Sequence, residues 1–156
     1  MNVATISIFY KDFIKALSDI RTMYEMDIKG MSRKEIGAYG EALVARYLKD
    51  RGHRIVAMNV ARKTGEIDVI TRKGGTLHFV EVKTILCRDF PQDGGLRDRY
   101  DPSANLHAAK IRKVTRTSEW YMAEKRWNGA AQVDAALVWL RAGDGAVQVA
   151  YLPQIL

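Results

Sequence analysis

Three carboxylates and one lysine are the side chains of this sequence whose types and spacing could perform chemistry together. They are Glu41, Asp68, Glu81 and Lys83. Converging carboxylate oxygens suit a hard divalent cation, Mg²⁺ with Mn²⁺ as the alternative, because such an ion keeps several waters for a phosphate substrate. A lysine beside the ion can orient a water and offset charge on the phosphate oxygens. These residues therefore predict metal-dependent hydrolysis of a phosphodiester bond.

Strands must bring the acids at 68 and 81 together. Short segments rich in β-branched or aromatic residues, separated by glycine-containing breaks, predict three antiparallel strands. They cover residues 53–60, 66–73 and 76–84. Gly74-Gly75 between the second and third predicts a two-residue hairpin turn. Counting back from that turn places Asp68 near Glu81, and the alternation of side chains puts Lys83 on the same face as Glu81.

A helix must bring Glu41 to the same surface. Ser32 and Glu35 have the spacing of a capping box, which predicts a helix over residues 33–51, and Gly52 is typical of a helix end. The predicted buried face consists of Ile36, Leu43, Val44, Tyr47 and Leu48. By helical periodicity Glu41 falls at the margin of that face, so it should lean toward whatever the helix packs on.

A second helix is predicted from about Ser103 to Arg126, after a long loop over residues 85–104. Its basic flank consists of Lys110, Arg112, Lys113 and Arg116. Such a flank could hold a nucleic-acid backbone beside the metal site, although helices also carry lysines for solubility. Residues 132–141 and 146–152 are predicted to form a final pair of strands.

The order helix, three strands, helix, two strands predicts an α/β fold with a mixed β-sheet of about five strands flanked by helices. This domain is predicted over residues 32–152. Residues 1–29 carry apolar side chains at three- and four-residue spacing, which predicts an extra N-terminal amphipathic helix. That helix must bury its apolar stripe on the core, on a partner protein or on a second copy of the chain in a homodimer.

Composition limits the classes of function. The chain has 156 residues, enough for one domain, and its 47% hydrophobic and 28% charged residues are typical of a soluble globular protein. Charged residues interrupt the apolar stretches, so we expect neither a signal peptide nor a membrane span. Cys87 is the only cysteine, which excludes an internal disulfide and favours the reducing cytoplasm. The net charge of +7 favours a polyanionic partner such as nucleic acid.

Three motifs resemble those of one protein family. They are GEALVARYL at 40–48, GEIDVI at 65–70 and FVEVKT at 79–84. In order and spacing they resemble the YraN family of bacterial proteins, which are similar in fold to restriction endonucleases and archaeal Holliday-junction resolvases of the PD-(D/E)xK superfamily. The resemblance covers residues 32–152. It implies a restriction-endonuclease-like fold and a nuclease for DNA, including branched or junction DNA in repair and recombination.

The resemblance also implies individual roles. Asp68 and Glu81 would bind the metal directly, together with the carbonyl of Val82. Glu41 would bind it through a water, and Lys83 would be the catalytic lysine. Lys110 matches a lysine that family members often carry at the start of the second long helix. Two departures affect the expected substrate contacts, namely Ile85, where relatives commonly carry arginine, and a loop at 86–104 that looks longer than usual.

Simpler interpretations compete with a nuclease. Charged residues on a strand are commonly solvated, and a nuclease-like fold could keep its carboxylates as a polar network without turnover. The alternative function is therefore a non-catalytic nucleic-acid-binding or scaffold protein. Elsewhere, Asp134 is predicted to be a buried hydrogen-bonding residue, and the three histidines lack the spacing of a zinc site. Trp120, Tyr121 and Trp127 could stack on bases, but such aromatics are more often part of a core.

Overall fold

The computed structural model of the chain describes residues 28, 30–91 and 108–155. The elements in these residues are α1 Arg33–Asp50, β1 Arg54–Arg62, β2 Gly65–Lys73, β3 Thr76–Cys87, α2 Ala108–Glu124, β4 Ala131–Arg141 and β5 Val147–Leu152. The helix predicted over residues 1–29 lies, Ile28 apart, outside the described residues. So do most of the predicted loop and the predicted start of the second helix, residues 103–107.

The five strands form one sheet in the order β1-β2-β3-β4-β5. β1, β2 and β3 are antiparallel neighbours, β3 and β4 are parallel, and β4 and β5 are antiparallel. A parallel pair needs a crossover, and α2 lies in the crossover between β3 and β4. The predicted α/β fold with a mixed sheet is thereby confirmed. Of the two described helices, neither is long and apolar enough to cross a membrane.

α1 forms where its sequence predicts because its first turn is capped in both directions. The Glu35 N–H donates to Ser32 Oγ at 3.3 Å, and the Ser32 N–H donates to the Glu35 carboxylate at 2.7 Å. The buried side chains of α1, including Val44 and Leu48, pack in one cluster with Val80 of β3. α1 therefore covers the sheet face to which Val80 belongs.

α2 covers the opposite face. Its Val114 and Tyr121 pack in a second cluster with Ile70 of β2 and Phe79 of β3. Phe79 and Val80 are neighbours in β3, so their side chains point to opposite sides of the sheet. Tyr121 thus belongs to the core, and each helix buries its own face of one shared sheet.

The sheet forks between β2 and β3. Their ladder ends where Val69 faces Val80. Beyond that point β2 stays paired with β1 as far as Gly65, while β3 stays paired with β4 as far as Cys87. β3 therefore runs past residue 84, where the sequence predicted its end, because β4 supplies hydrogen bonds along its whole length. We call residues 57–68 the arm, and the opening between the arm and the second half of β3 the cleft.

Candidate active site at the fork of the sheet

Asp68 and Glu81 lie where the sheet forks. Both are nearly buried, with 7% and 4% of their surface exposed. The Val82 N–H donates to Asp68 Oδ2 at 2.7 Å, so a carboxylate takes the position that a main-chain carbonyl of β2 would have in a continuing ladder. The structure thus brings together the two acids that the hairpin register predicts to be neighbours.

Burial and mutual charge disfavour two ionised carboxylates at this point. Burial, and then the negative charge of Asp68, raise the pKa of Glu81 to about 7. Burial also raises the pKa of Asp68, although the hydrogen bond from Val82 opposes the shift. Glu81 Oε2 is buried and accepts no hydrogen bond within the described part of the chain, although a side-chain hydrogen bond between the two acids lowers the pKa of Asp68. An acceptor in that position is one that a cation or a bound water would satisfy.

Lys110 supplies the positive charge at the acid pair. Its Nζ forms an ion pair with Glu81 Oε1, while its side chain remains 54% exposed. Burial opposes protonation of this lysine, but the hydrogen bond and charge of Glu81, with the charge of Asp68, outweigh burial and raise the Lys110 pKa. The sequence assigned Lys110 to the basic flank of a helix, and in the structure its ammonium group pairs with the Glu81 carboxylate. We call Asp68, Glu81 and Lys110 the carboxylate centre.

Glu41 approaches the carboxylate centre from α1, on the opposite face of the sheet. A Cβ added at Gly40 would lie 1.8 Å from Thr84 Oγ1, so only glycine lets α1 come this close to β3. Burial, and then the charge of Asp68, raise the pKa of Glu41, whereas a hydrogen bond with the Asn59 side chain lowers it. Because Asp68 bonds a main-chain N–H of the next strand, its carboxylate lies between two strands, within reach of groups from both faces.

The other charged residues considered for the site lie around the carboxylate centre. Lys83 shares its strand face with Glu81 and is exposed beside the cleft, and it is Lys110 that contacts Glu81. Glu66 is exposed, and its charge raises the pKa of both Asp68 and Glu81. The remaining members of the predicted nucleic-acid flank are all exposed on α2; they are Arg112, Lys113 and Arg116.

The donor set of the carboxylate centre fits a hard divalent cation. Asp68 and Glu81 present only oxygens, and the buried Glu81 Oε2 is an acceptor that such an ion would satisfy. Within residues 30–91 and 108–155, no group of three or more Asp, Glu, His or Cys side chains is arranged to hold a metal by itself. Mg²⁺ needs no such cage, because it commonly binds through one or two carboxylates and keeps its waters. The Val82 carbonyl and a water-mediated Glu41 stay predictions as further ligands.

Sequence reasoning does not identify Asn59, which contacts Glu41 from β1. Asn59 adopts a positive φ of 52°, a conformation that asparagine tolerates better than most residues. The one available signal is compositional, since asparagine is depleted in strands and here interrupts the apolar run HRIVAMNV. That signal marks an irregular strand and carries no information about a partner on α1.

A second buried polar group lies on the α1 face and consists of His53, His78, Asp134 and Tyr151, which we call the histidine cluster. Asp134 is fully buried, as predicted, and accepts from Gln132 Nε2 at 2.7 Å and from the Gln154 N–H at 2.6 Å. Its other carboxylate oxygen binds the Tyr151 hydroxyl and lies 2.8 Å from His78 Nδ1. The rings of His53 and His78 meet edge to face with centroids 4.7 Å apart. No spacing in the sequence indicates this grouping.

Comparison with known proteins shows which protein family this chain is similar to. The family model of the uncharacterised protein family UPF0102 matches residues 40–138. A UPF0102 protein of Wolinella succinogenes is 33% identical over 114 residues, which are 73% of this chain and 92% of the relative. Another, of Syntrophotalea carbinolica, is 33% identical over 121 residues, 78% of this chain and 90% of the relative. One of Symbiobacterium thermophilum is 40% identical over 93 residues, 60% of this chain and 70% of the relative. The span matched by the family model contains Glu41, Lys83 and the whole carboxylate centre.

Proposed function

Since this chain belongs to the UPF0102 family, we propose a function from the geometry of its carboxylate centre, namely metal-dependent hydrolysis of phosphodiester bonds in DNA. YraN is another name for this family, so the resemblance drawn from the three sequence motifs is confirmed. The observation that carries the proposal is the pair of buried acids, Asp68 and Glu81, at an open fork of the sheet with one acceptor oxygen unpartnered among the described residues. Membership of the family is compatible with this activity.

Each residue of the site has a task in the proposed reaction. Asp68 and Glu81 would hold the divalent ion, which would polarise the scissile phosphate and lower the pKa of a bound water. The Val82 N–H holds the Asp68 carboxylate in place before any ligand binds. Lys83, exposed on the strand face of Glu81, would orient the attacking water and offset charge on the phosphate oxygens.

The two remaining charged groups complete the site. Lys110 neutralises part of the charge of the acid pair, and its exposed side chain can turn from Glu81 to a phosphate oxygen of the substrate. Glu41, close enough for the charge of Asp68 to raise its pKa, would bind a water from the α1 side. We place this activity in the cytoplasm, in agreement with a single cysteine in the sequence.

Calorimetric titration with Mn²⁺ and Mg²⁺, followed by cleavage assays on linear and branched DNA, tests the proposal. Wild-type protein should bind metal and cut DNA only in its presence. Asp68→Asn should lose both properties, although its amide oxygen can still accept from Val82. Glu66→Gln is the matched control, because this exposed acid lies on the same strand outside the predicted ligand set, and it should keep both. Metal-dependent cleavage that persists in Asp68→Asn would contradict the proposal.

One observation favours a second candidate, a non-catalytic nucleic-acid-binding or scaffold protein. Lys110 already pairs with Glu81, as in a polar network that needs no further cation. The same samples distinguish the two functions. Salt-sensitive DNA binding without metal binding, and without cleavage of any duplex, fork, flap or junction, would identify the binder.

A further inference from the structure

We propose that the tip of the arm and the N-terminal half of α2 form one surface that binds the sugar-phosphate backbone of duplex DNA and leads it to the carboxylate centre. The inference rests on the proposed function for its substrate. It adds two residues of the arm, Arg62 and Lys63, to those that the sequence assigned to the helix. We call Arg62, Lys63, Arg112, Lys113 and Arg116 the basic surface, and all five are exposed.

Two contacts hold the arm against α2. Thr64 Oγ1 and Thr117 Oγ1 lie 2.9 Å apart and share a hydrogen bond. A Cβ added at Gly65 would lie 2.8 Å from Lys113 Cβ, and Gly65 has a φ of 153°, so only glycine permits this approach. The turn between β1 and β2 is therefore fixed relative to the helix. Charges on the two elements keep a constant spacing, which lowers the entropic cost of binding a regular polyanion.

Arg62 makes a third contact between the arm and α2. Its guanidinium carbon lies 3.9 Å from the centroid of the Trp120 ring. Stacking on an indole is favourable for a guanidinium and restricts its rotamers. A stacked guanidinium keeps its N–H donors in its own plane, where they can bind phosphate oxygens in pairs. Trp120 thus serves as a platform for an arginine, a role that the sequence did not indicate.

Positive charge predominates in this region, which the exposed acids Glu66 and Glu119 border. Residues 57–65 and 108–118 contain no Asp or Glu, and α2 has no acidic residue in its first turn. Lys113 and Arg116 share the helix flank of Trp120 by their three- and four-residue spacing, which is the flank that meets the arm. An excess of cations on one surface favours a polyanion, because a row of phosphates would relieve their mutual repulsion.

The basic surface ends at the carboxylate centre on both elements. On α2, Lys110 precedes Lys113 by about one helical turn and carries the ion pair with Glu81. On β2, Asp68 follows Gly65 at the start of the same strand. A backbone lying along the basic surface would therefore bring a phosphate to Asp68 and Glu81. Phosphate contacts of this kind position a nucleic acid without reading its sequence.

A matched pair of double variants tests the inference. Arg62→Gln/Lys63→Gln neutralises the tip of the arm. Arg72→Gln/Lys73→Gln removes the same residue types at the other end of β2, where Arg72 lies 4.9 Å from the Trp127 ring centroid. Binding of a short labelled DNA duplex, without metal, would be measured over a series of salt concentrations. The arm variant should bind about tenfold more weakly and lower the slope of log K against log salt by about 2, whereas the control should match wild type.

The outcomes separate this inference from the proposed function. An arm variant with the affinity and salt slope of the control would overturn the inference, while cleavage that depends on Asp68 would still support the nuclease. If the arm variant binds DNA more weakly but Asp68→Asn cleaves DNA as wild type does, the inference would be supported and the proposed nuclease site would be contradicted. Lys63→Gln alone leaves the contact of Arg62 with Trp120 intact and guards against misfolding; it should lower the slope by about 1. Wild-type protein without salt-sensitive DNA binding would overturn the inference outright.

Discussion

The histidine cluster and the carboxylate centre each contain a buried carboxylate and one residue of β3, yet they differ in how completely their carboxylate oxygens are satisfied. Asp134 accepts from or contacts four partners, shared between its two oxygens. Glu81 has Lys110 on one oxygen and no described partner on the other, and a second carboxylate lies beside it. A buried carboxylate that is fully hydrogen-bonded stabilises a fold, whereas a buried acid pair with an open acceptor is suited to a ligand.

The contrast extends to the neighbours of each acid. Burial, and then the charge of Asp134, raise the pKa of Tyr151, so the Tyr151 hydroxyl remains a hydrogen-bond donor throughout the accessible pH range. At the carboxylate centre, burial and the charge of Asp68 raise the pKa of Glu81 instead, so the fold is less stable when Glu81 is ionised and no cation is bound. Removing an acid should therefore have opposite effects on stability in the two clusters.

The largest effect is expected for Asp134→Ala. This change leaves three partly buried side-chain partners without their acceptor and should cost about 3–5 kcal/mol in the free energy of unfolding, measured with urea at neutral pH. Asp144→Ala is the control, because Asp144 is exposed and solvent screens its pair with Arg141, so its loss should change the free energy of unfolding far less. A loss at Asp134 no larger than that of the control would remove the distinction between the clusters.

Glu81→Gln should have the opposite sign in the absence of metal. The pKa of Glu81 in the folded protein is about 7, above its ordinary value, so folding favours the protonated form of this acid. The free energy of unfolding therefore decreases as the pH rises from the ordinary pKa of a glutamate toward about 7. The variant should therefore be more stable than wild type by about 3 kcal/mol near pH 8, and the gain should vanish near pH 4. Urea unfolding across this range measures it, and a destabilised variant at pH 8 would show that Glu81 is structural.

A smaller effect of opposite pH dependence is expected at His53. Burial, and then the charge of His78, lower the pKa of His53 to about 4. Because the unfolded chain binds this proton first, the contribution of neutral His53 is complete above the ordinary pKa of about 6.5 and is lost as the pH falls toward 4. Relative to His53→Asn, which can still bond Thr71, wild type should lose about 2 kcal/mol between pH 7 and pH 5. If the free energies of unfolding of the two proteins changed with pH in the same way, the lowered pKa of His53 would be refuted.

The smallest effect on stability concerns the approach of Glu41 to the carboxylate centre. Gly40→Ala should cost about 1–2 kcal/mol, because the added methyl group would push α1 away from Thr84. Gly37→Ala is the matched control in the same helix, since nothing lies within 4 Å of its added Cβ, and it should be neutral or stabilising by up to about 1 kcal/mol. If Glu41 serves the proposed reaction, Gly40→Ala should also reduce cleavage more than its stability loss explains, while Gly37→Ala should not.

Much of the fold and two of the three members of the carboxylate centre, Asp68 and Glu81, could be predicted from the sequence. The capping box at Ser32 and Glu35 predicts where α1 begins, and the structure has both of its hydrogen bonds. The glycine pair at 74 and 75 predicts the register that makes Asp68 and Glu81 neighbours. Caps, turns and alternation act over a few residues, so their signals can be read without knowledge of the rest of the chain.

The sequence by itself thus determined the helices and strands of the described residues, their order, and the neighbouring positions of Asp68 and Glu81. Only the tertiary structure decided that Lys110 contacts Glu81, that Arg62 stacks on Trp120, and that His78 joins Asp134. Each of these pairs joins residues far apart in the chain. Such contacts depend on where a whole helix docks and where a sheet forks, and those positions follow from the packing of many side chains at once rather than from any local pattern.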